Sequence, residues 1–318
     1  MQRETESRKT IFAAMAANFA IALAKAVAGL LGRSPAMLAE AAHSVADTMN
    51  QVFLLVSLSL GERKPDEEHP FGYGKERFFW AFLAAVFIFV SGAVFSLYEG
   101  LRALLGGEQS EAGFVISYAV LGFSLVAEGA SLVRAVVQVR REAGAESERV
   151  GSYLRQSTDP TVRTVLFEDS AAVVGVVLAL VGVTLHQLTG ERFWEGLASI
   201  AIGLLLVVVA YVLGRFSKGL LIGEAARPEQ RELLREVIMN HPEVEAVLEL
   251  LTMHLGPNAL LVAVRLDLRD DLTAAQVEQL SNQIDRELRQ AVEGVSQVFL
   301  DATPRPRPRE VEAARQPS

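Results

Sequence analysis

Long apolar runs, interrupted at a few positions by ionisable side chains, dominate the first two thirds of the chain. Spans of the length needed to cross a bilayer cover roughly 10–32, 36–60, 78–101, 113–138, 163–187 and 193–216, with edges uncertain by a few residues. The first carries Asn18 and Lys25. The second carries the stretch AEAAHSVADTMNQ, Ala39 to Gln51. The fourth carries Glu128, and the fifth has Glu168 and Asp169 in its early turns. After Gly223 the period changes. Pro228 to Asn240 predicts an amphipathic helix with Pro near its start. Glu243 to His254 and Ala259 to Leu268 predict strands joined by Gly256-Pro257-Asn258. Thr273 to Val292 predicts a second amphipathic helix with Thr273 as N-cap, and Val295 to Leu300 a third strand. The expected architecture is an all-α transmembrane domain of six helices, residues 1–222. It is followed by a small α+β domain of order α-β-β-α-β, residues 223–303. The tail 304–318 is Pro-rich and charged and is expected to be disordered.

Composition supports the membrane reading. Of 318 residues, 51% are hydrophobic and the mean hydropathy is +0.28, on the apolar side for a soluble protein of this size. The net charge of −8 argues against a nucleic-acid partner. With no cysteine there is no disulfide and no thiolate metal site. The charged start and the long run after it do not predict a cleaved signal peptide. Basic residues cluster before the first span, after the second (Arg63, Lys64, Lys75, Arg77) and after the fourth (Arg140, Arg141, Arg149, Arg155). Both termini are therefore expected in the cytoplasm, with the chain crossing a cell inner membrane several times.

The chemistry lies where the apolar pattern breaks. On a helix, His43 and Asp47 share a face, and Glu40 and Asn50 extend that stripe. A carboxylate at mid-bilayer depth costs about 2.5–3.5 kcal/mol, so aligned His and Asp call for a partner. A divalent cation suits imidazole and carboxylate ligands. The plainer alternative is a polar cluster bonding helices together, which applies most to Asn18, Asn50 and Gln51. Glu40, near the membrane edge, is expected to be solvated. A second helix must complete any ion site, and the best donor is TVLFEDSAAVVG with Glu168 and Asp169. Being adjacent, those two point about 100° apart and are not expected to face one ion squarely.

HSVAD with the following TMNQ, HPFGYGKERFFW entering the third span, Glu99-Gly100 ending it, and the GPN-linked strand pair together resemble the cation diffusion facilitator family of zinc transporters. The resemblance covers nearly the whole chain. It implies a homodimer with six spans per subunit and a cytoplasmic ferredoxin-like domain. It also implies a metal site between spans two and five, and export of the ion by proton exchange. By position, His43, Asp47 and Asp169 match the family's ligands. Many members have histidine four residues before that aspartate, where this chain has Val165, and Glu168 is the candidate substitute. One imidazole with three carboxylates is a harder donor set than the usual zinc site. Zinc is expected first, with manganese, iron or cobalt as the alternative. Protons and metal compete for such ligands, which bind metal only when deprotonated. His43 is the one whose unperturbed charge change lies nearest neutral pH.

The ion is cargo, so no cofactor is expected. With neither HExxH nor a nucleophile constellation, no catalytic residue is expected and the chain does not read as an enzyme. A metal sensor on the same fold is the remaining alternative. Asp66, Glu67, Glu68 and His69 read as a solvated loop that at most holds an ion loosely. His241, His254 and Asp301 are too sparse for a binuclear centre. Lys25, Glu99 and Glu128 are expected to pair or snorkel.

Overall fold

The structure, a computed structural model, describes residues 2–105, 114–145, 151 and 160–304. These fall into two compact units: Met1–Glu62 with Glu76–Lys218, and Arg63–Lys75 with Gly219–Ser318. The tail expected to be disordered lies outside the described residues after Pro304.

The first unit is helical: α1 (Gln2–Leu31), α2 (Pro35–Gly61), α3 (Glu76–Leu105), α4 (Phe114–Ala145), α5 (Pro160–Thr189) and α6 (Phe193–Ile222). The helix α3 is π-helical over Ile88–Val94, where the Ser91 hydroxyl donates to the Phe87 carbonyl. The interior of the unit is rich in small side chains, among them Ala36, Ala39, Ala46, Ala93 and Ala179. Small residues let backbones approach closely, which is how helices pack where no water drives them together. Gly100 shows the extreme: a Cβ there would lie 2.8 Å from the Gly196 carbonyl oxygen of α6. The outer surface carries large apolar residues such as Phe123, Val126, Leu204 and Val208. An apolar rim of this extent suits lipid, not water.

Among the described residues, four helices are long and apolar enough to cross a membrane: Glu76–Leu105, Phe114–Arg141, Arg163–Thr189 and Phe193–Ile222. The sequence pattern predicts six. Among the described residues, α1 contributes an apolar stretch over Asn18–Leu31. The helix α2 is long enough, but Glu40, His43, Asp47, Asn50 and Gln51 dilute its apolar character. The residues that make α2 chemically interesting are the same ones that weaken its membrane signature.

The second unit has the order α7 (Pro228–Met239), β1 (Val244–Gly256), β2 (Ala259–Leu268), α8 (Ala274–Ala291) and β3 (Val295–Ala302). The sheet order is β1-β2-β3; β1 and β2 are antiparallel, β2 and β3 parallel. Its core joins Leu234 and Ile238 of α7, Leu280, Ile284 and Leu288 of α8, and Val262, Val264 and Leu266 of β2. The Thr273 hydroxyl and the Gln276 side chain form a reciprocal cap at the start of α8. The segment Arg63–Lys75 packs with this unit. Gly74 is obligatory there, because a Cβ would stand 2.5 Å from the Leu255 carbonyl oxygen.

Candidate functional site

The helix α2 begins where Ser34 caps it, its hydroxyl accepting from the Met37 amide at 3.3 Å, with Pro35 in the first helical position. That start sets the phase of everything after it. His43 is buried, and its Nε2 lies 3.4 Å from Asp47 Oδ2 on the next turn. Asn50 continues the stripe and donates to Glu168 of α5. Asp169 turns the other way and accepts from Ser131 of α4 at 2.9 Å. The two neighbouring carboxylates are thus tied to different helices, as their angular separation requires.

Asp47, Glu168 and Asp169 nevertheless line one cavity of about 920 Å³, which Asn50, Gln51 and Glu128 also border. The structure brings these three sequence-predicted carboxylates together. His43 is not in the cavity wall, though its Nε2 lies beside Asp47, which is. Val165 is in the wall, so the position that holds histidine in many members presents an apolar side chain here. Among the described residues no three His, Asp or Glu side chains close into a ready ligand cluster; the carboxylates surround a space.

Several polar atoms at this place have no hydrogen-bond partner: Asp47 Oδ1, Glu168 Oε1, Gln51 Oε1 and both ring nitrogens of His43. Buried polar groups are nearly always bonded. The unsatisfied oxygens of Asp47, Glu168 and Gln51 around one cavity are the donor chemistry a hard or borderline cation takes.

Glu40 corrects an expectation. It is fully buried, not solvated, and its Oε2 lies 3.1 Å from Lys25 Nζ, also fully buried. The same ammonium donates to Ser44 Oγ at 2.8 Å and lies 3.7 Å from Glu128 Oε1. The carboxylate of Glu40 fits only because residue 175 is glycine: a Cβ there would collide with Glu40 Oε1. The sequence places Lys25 and Glu40 on separate helices, and nothing in their spacing announces the pair.

A second buried group escaped sequence reasoning altogether. His186 Nδ1 and Glu195 Oε1 are 2.6 Å apart across the α5–α6 turn. Ser34, the cap of α2, donates to Glu195 as well. The only signal was polarity at two helix ends, where polar residues are common.

In the second unit two of the sequence-predicted candidates, His241 and Asp301, have protein partners. His241 meets Glu287 at 3.0 Å, and Asp301 accepts from Arg265 and Thr303. In the loop, Asp66 accepts from Tyr73 and from the His69 amide, each at 2.7 Å.

Residues 11–222 match the cation efflux transmembrane domain and residues 226–304 the cytoplasmic domain of cation efflux proteins. The chain belongs to the cation diffusion facilitator family. It is 34% identical to the human mitochondrial proton-coupled zinc antiporter SLC30A9 over 78% of this chain and 44% of that protein. It is 30% identical to metal tolerance protein C4 of Arabidopsis thaliana, over 83% of this chain and 58% of the relative. It is 26% identical to the manganese efflux system protein MneP of Bacillus subtilis, over 95% of this chain and 98% of the relative. The chain therefore spans less than half the length of the zinc antiporter it matches. In this cation diffusion facilitator the acidic cavity lies within the first unit, inside the stretch that matches the transmembrane domain.

Proposed function

We propose that the chain is a proton-coupled divalent-cation efflux transporter working by alternating access, with zinc as its first cargo. The observation that carries this reading is the cavity shared by Asp47, Glu168 and Asp169, with its unsatisfied buried oxygens. Asp47 and Asp169, with Glu168 and with His43 beside Asp47, are the proposed metal ligands. An ion entering between α2 and α5 satisfies those acceptors, and proton binding at the same groups releases it, because each ligand holds metal only when deprotonated. Reorientation of α2 and α5 between the two faces then exchanges cargo for protons. The proton-coupled zinc antiporter and the manganese efflux protein among the relatives support efflux and proton coupling. Nothing in the reading requires bond-making chemistry, so the chain is not proposed as an enzyme.

The finer architecture belongs to the same proposal. All six helices cross the bilayer, α1 and α2 being tolerated because their polar residues face the bundle interior. Both termini lie in the cytoplasm of a cell whose inner membrane holds the protein. Residues 1–222 form the transport domain. Residues 223–303 form a ferredoxin-like cytoplasmic domain through which two copies pair.

Manganese is the second reading, favoured by Val165. With Val165 in the wall, His43 is the one imidazole among the proposed ligands and the others are carboxylates, a set that suits manganese better than the usual zinc site does. The test is uptake into proteoliposomes of zinc, manganese, iron and cobalt across an imposed pH gradient. Metal-driven proton flux that vanishes in Asp47→Ala and Asp169→Ala is the expected result. Flux unchanged in both variants removes the site, and binding without flux in the unaltered protein identifies a sensor instead.

A further inference from the structure

Beside the cargo cavity lies a second set of oxygens that is already filled, by a cation belonging to the chain. Lys25 Nζ sits 3.1 Å from Glu40 Oε2, 2.8 Å from Ser44 Oγ and 3.7 Å from Glu128 Oε1. Lys25 and Glu40 are fully buried and Ser44 nearly so. Lysine is almost never fully buried unless paired, and here one ammonium serves two carboxylates. The second oxygen of Glu40 has no hydrogen-bond partner although it is buried. The cradle therefore holds one carboxylate oxygen that its occupant leaves unsatisfied.

Its position gives it meaning. Glu40 and Ser44 are on α2, one turn before His43 and Asp47 respectively. Glu128 belongs to both places: it reaches Lys25 and it lines the cargo cavity. Ala24, next to Lys25, lines the cavity too. A cation-shaped site thus adjoins the proposed cargo site and shares one wall residue with it.

We propose that Glu40, Ser44 and Glu128 form a second intramembrane cation site that Lys25 occupies permanently as a tethered ammonium. The occupant blocks a second divalent ion from entering beside the first. It also sets the charge that the cargo ion meets. Two carboxylates and a hydroxyl offer the oxygen donors that a divalent ion such as manganese accepts. The inference rests on the cavity being the cargo site only for its functional meaning; the cradle itself stands on its own geometry.

The test counts ions. The full chain, purified in detergent at pH 8, is dialysed to equilibrium against manganese chloride. Lys25→Ala is expected to bind one manganese ion more per chain than the unaltered protein. Adding Glu40→Gln and Glu128→Gln abolishes the extra ion. In the Asp47→Asn background the extra ion persists, so a failed cargo site and a failed cradle give different counts. A monodisperse Lys25→Ala protein with an unchanged count at saturating manganese overturns the proposal. If Lys25→Ala does not fold, Lys25→Ser serves instead, with the same extra ion expected. An unchanged count in folded Lys25→Ser protein overturns the proposal equally.

Discussion

The Asn50 amide donates to the Glu168 carboxylate, joining two residues 118 positions apart. This bond clamps α5 to α2 beside the cavity and leaves the other oxygen of Glu168 without a partner. Truncation of Asn50 to Ala strands a buried carboxylate and is expected to destabilise the protein by about 1–3 kcal/mol. Asn50→Asp is expected to be worse, since it sets a second carboxylate against the first. Thermal unfolding in detergent checks both.

Ser131 orients Asp169 from α4 through a 2.9 Å hydrogen bond. Groups that orient a metal ligand are worth about 10–100-fold in metal affinity. Ser131→Ala is therefore expected to weaken zinc or manganese binding by about that factor, with little change in thermal stability. Titration of the purified protein with each metal, followed by calorimetry, reads it directly.

Val165 stands in the cavity wall. Placing an imidazole there makes the donor set softer, which favours zinc. Val165→His is expected to raise the ratio of zinc to manganese transport by roughly tenfold, the equivalent of about 1.4 kcal/mol. A ratio that does not move, in protein that still transports, would show that this position does not reach the ion.

Gly175 leaves open the space that the Glu40 carboxylate occupies, and any Cβ at that position would strike Glu40 Oε1. Gly175→Ala forces Glu40 away from Lys25 and overpacks a closed interior, at an expected cost of about 1–3 kcal/mol. In the Glu40→Ala background the clash is absent, so the added Gly175→Ala change is expected to cost little there. Thermal unfolding of the two single variants and the double variant, read as a cycle, checks the cause.

His254 provides a pH dependence outside the helical unit. It is buried in β1, and burial, helped by the positive charge of Arg227, pushes its pKa below the usual histidine value. The unfolded chain takes up a proton near pH 6.5, at about the ordinary histidine value, while the folded chain resists it. The unfolded state then binds more protons, so stability falls as pH drops below about 6.5 and is unaffected above it. The fall continues until the lowered folded pKa is passed. His254→Gln is expected to flatten the dependence of the thermal midpoint on pH below about pH 6.5, the range where the unfolded chain takes up that proton.

The elements of the second unit follow closely from local pattern. Thr273 caps α8 as expected, with Gln276 completing the cap, and β1 and β2 pair across Pro257-Asn258. The parallel pairing of β3 with β2 was not legible, because pairing depends on the path of α8 between them. In the first unit, the stripe on α2 was legible from the period of a helix. The solvated reading of Glu40 failed because its partner, Lys25, belongs to another helix. His186 and Glu195 were invisible for the same reason.

What the sequence determined by itself is local and periodic: which segments are apolar, where helices begin, and that His43 and Asp47 share a face. The three-dimensional packing decided the rest, namely that Asp47, Glu168 and Asp169 border one cavity while Lys25 fills a neighbouring cradle. Periodicity fixes the direction of a side chain relative to its own helix axis. Which helix stands opposite, and hence which charges meet, depends on long-range packing that no single window of sequence contains.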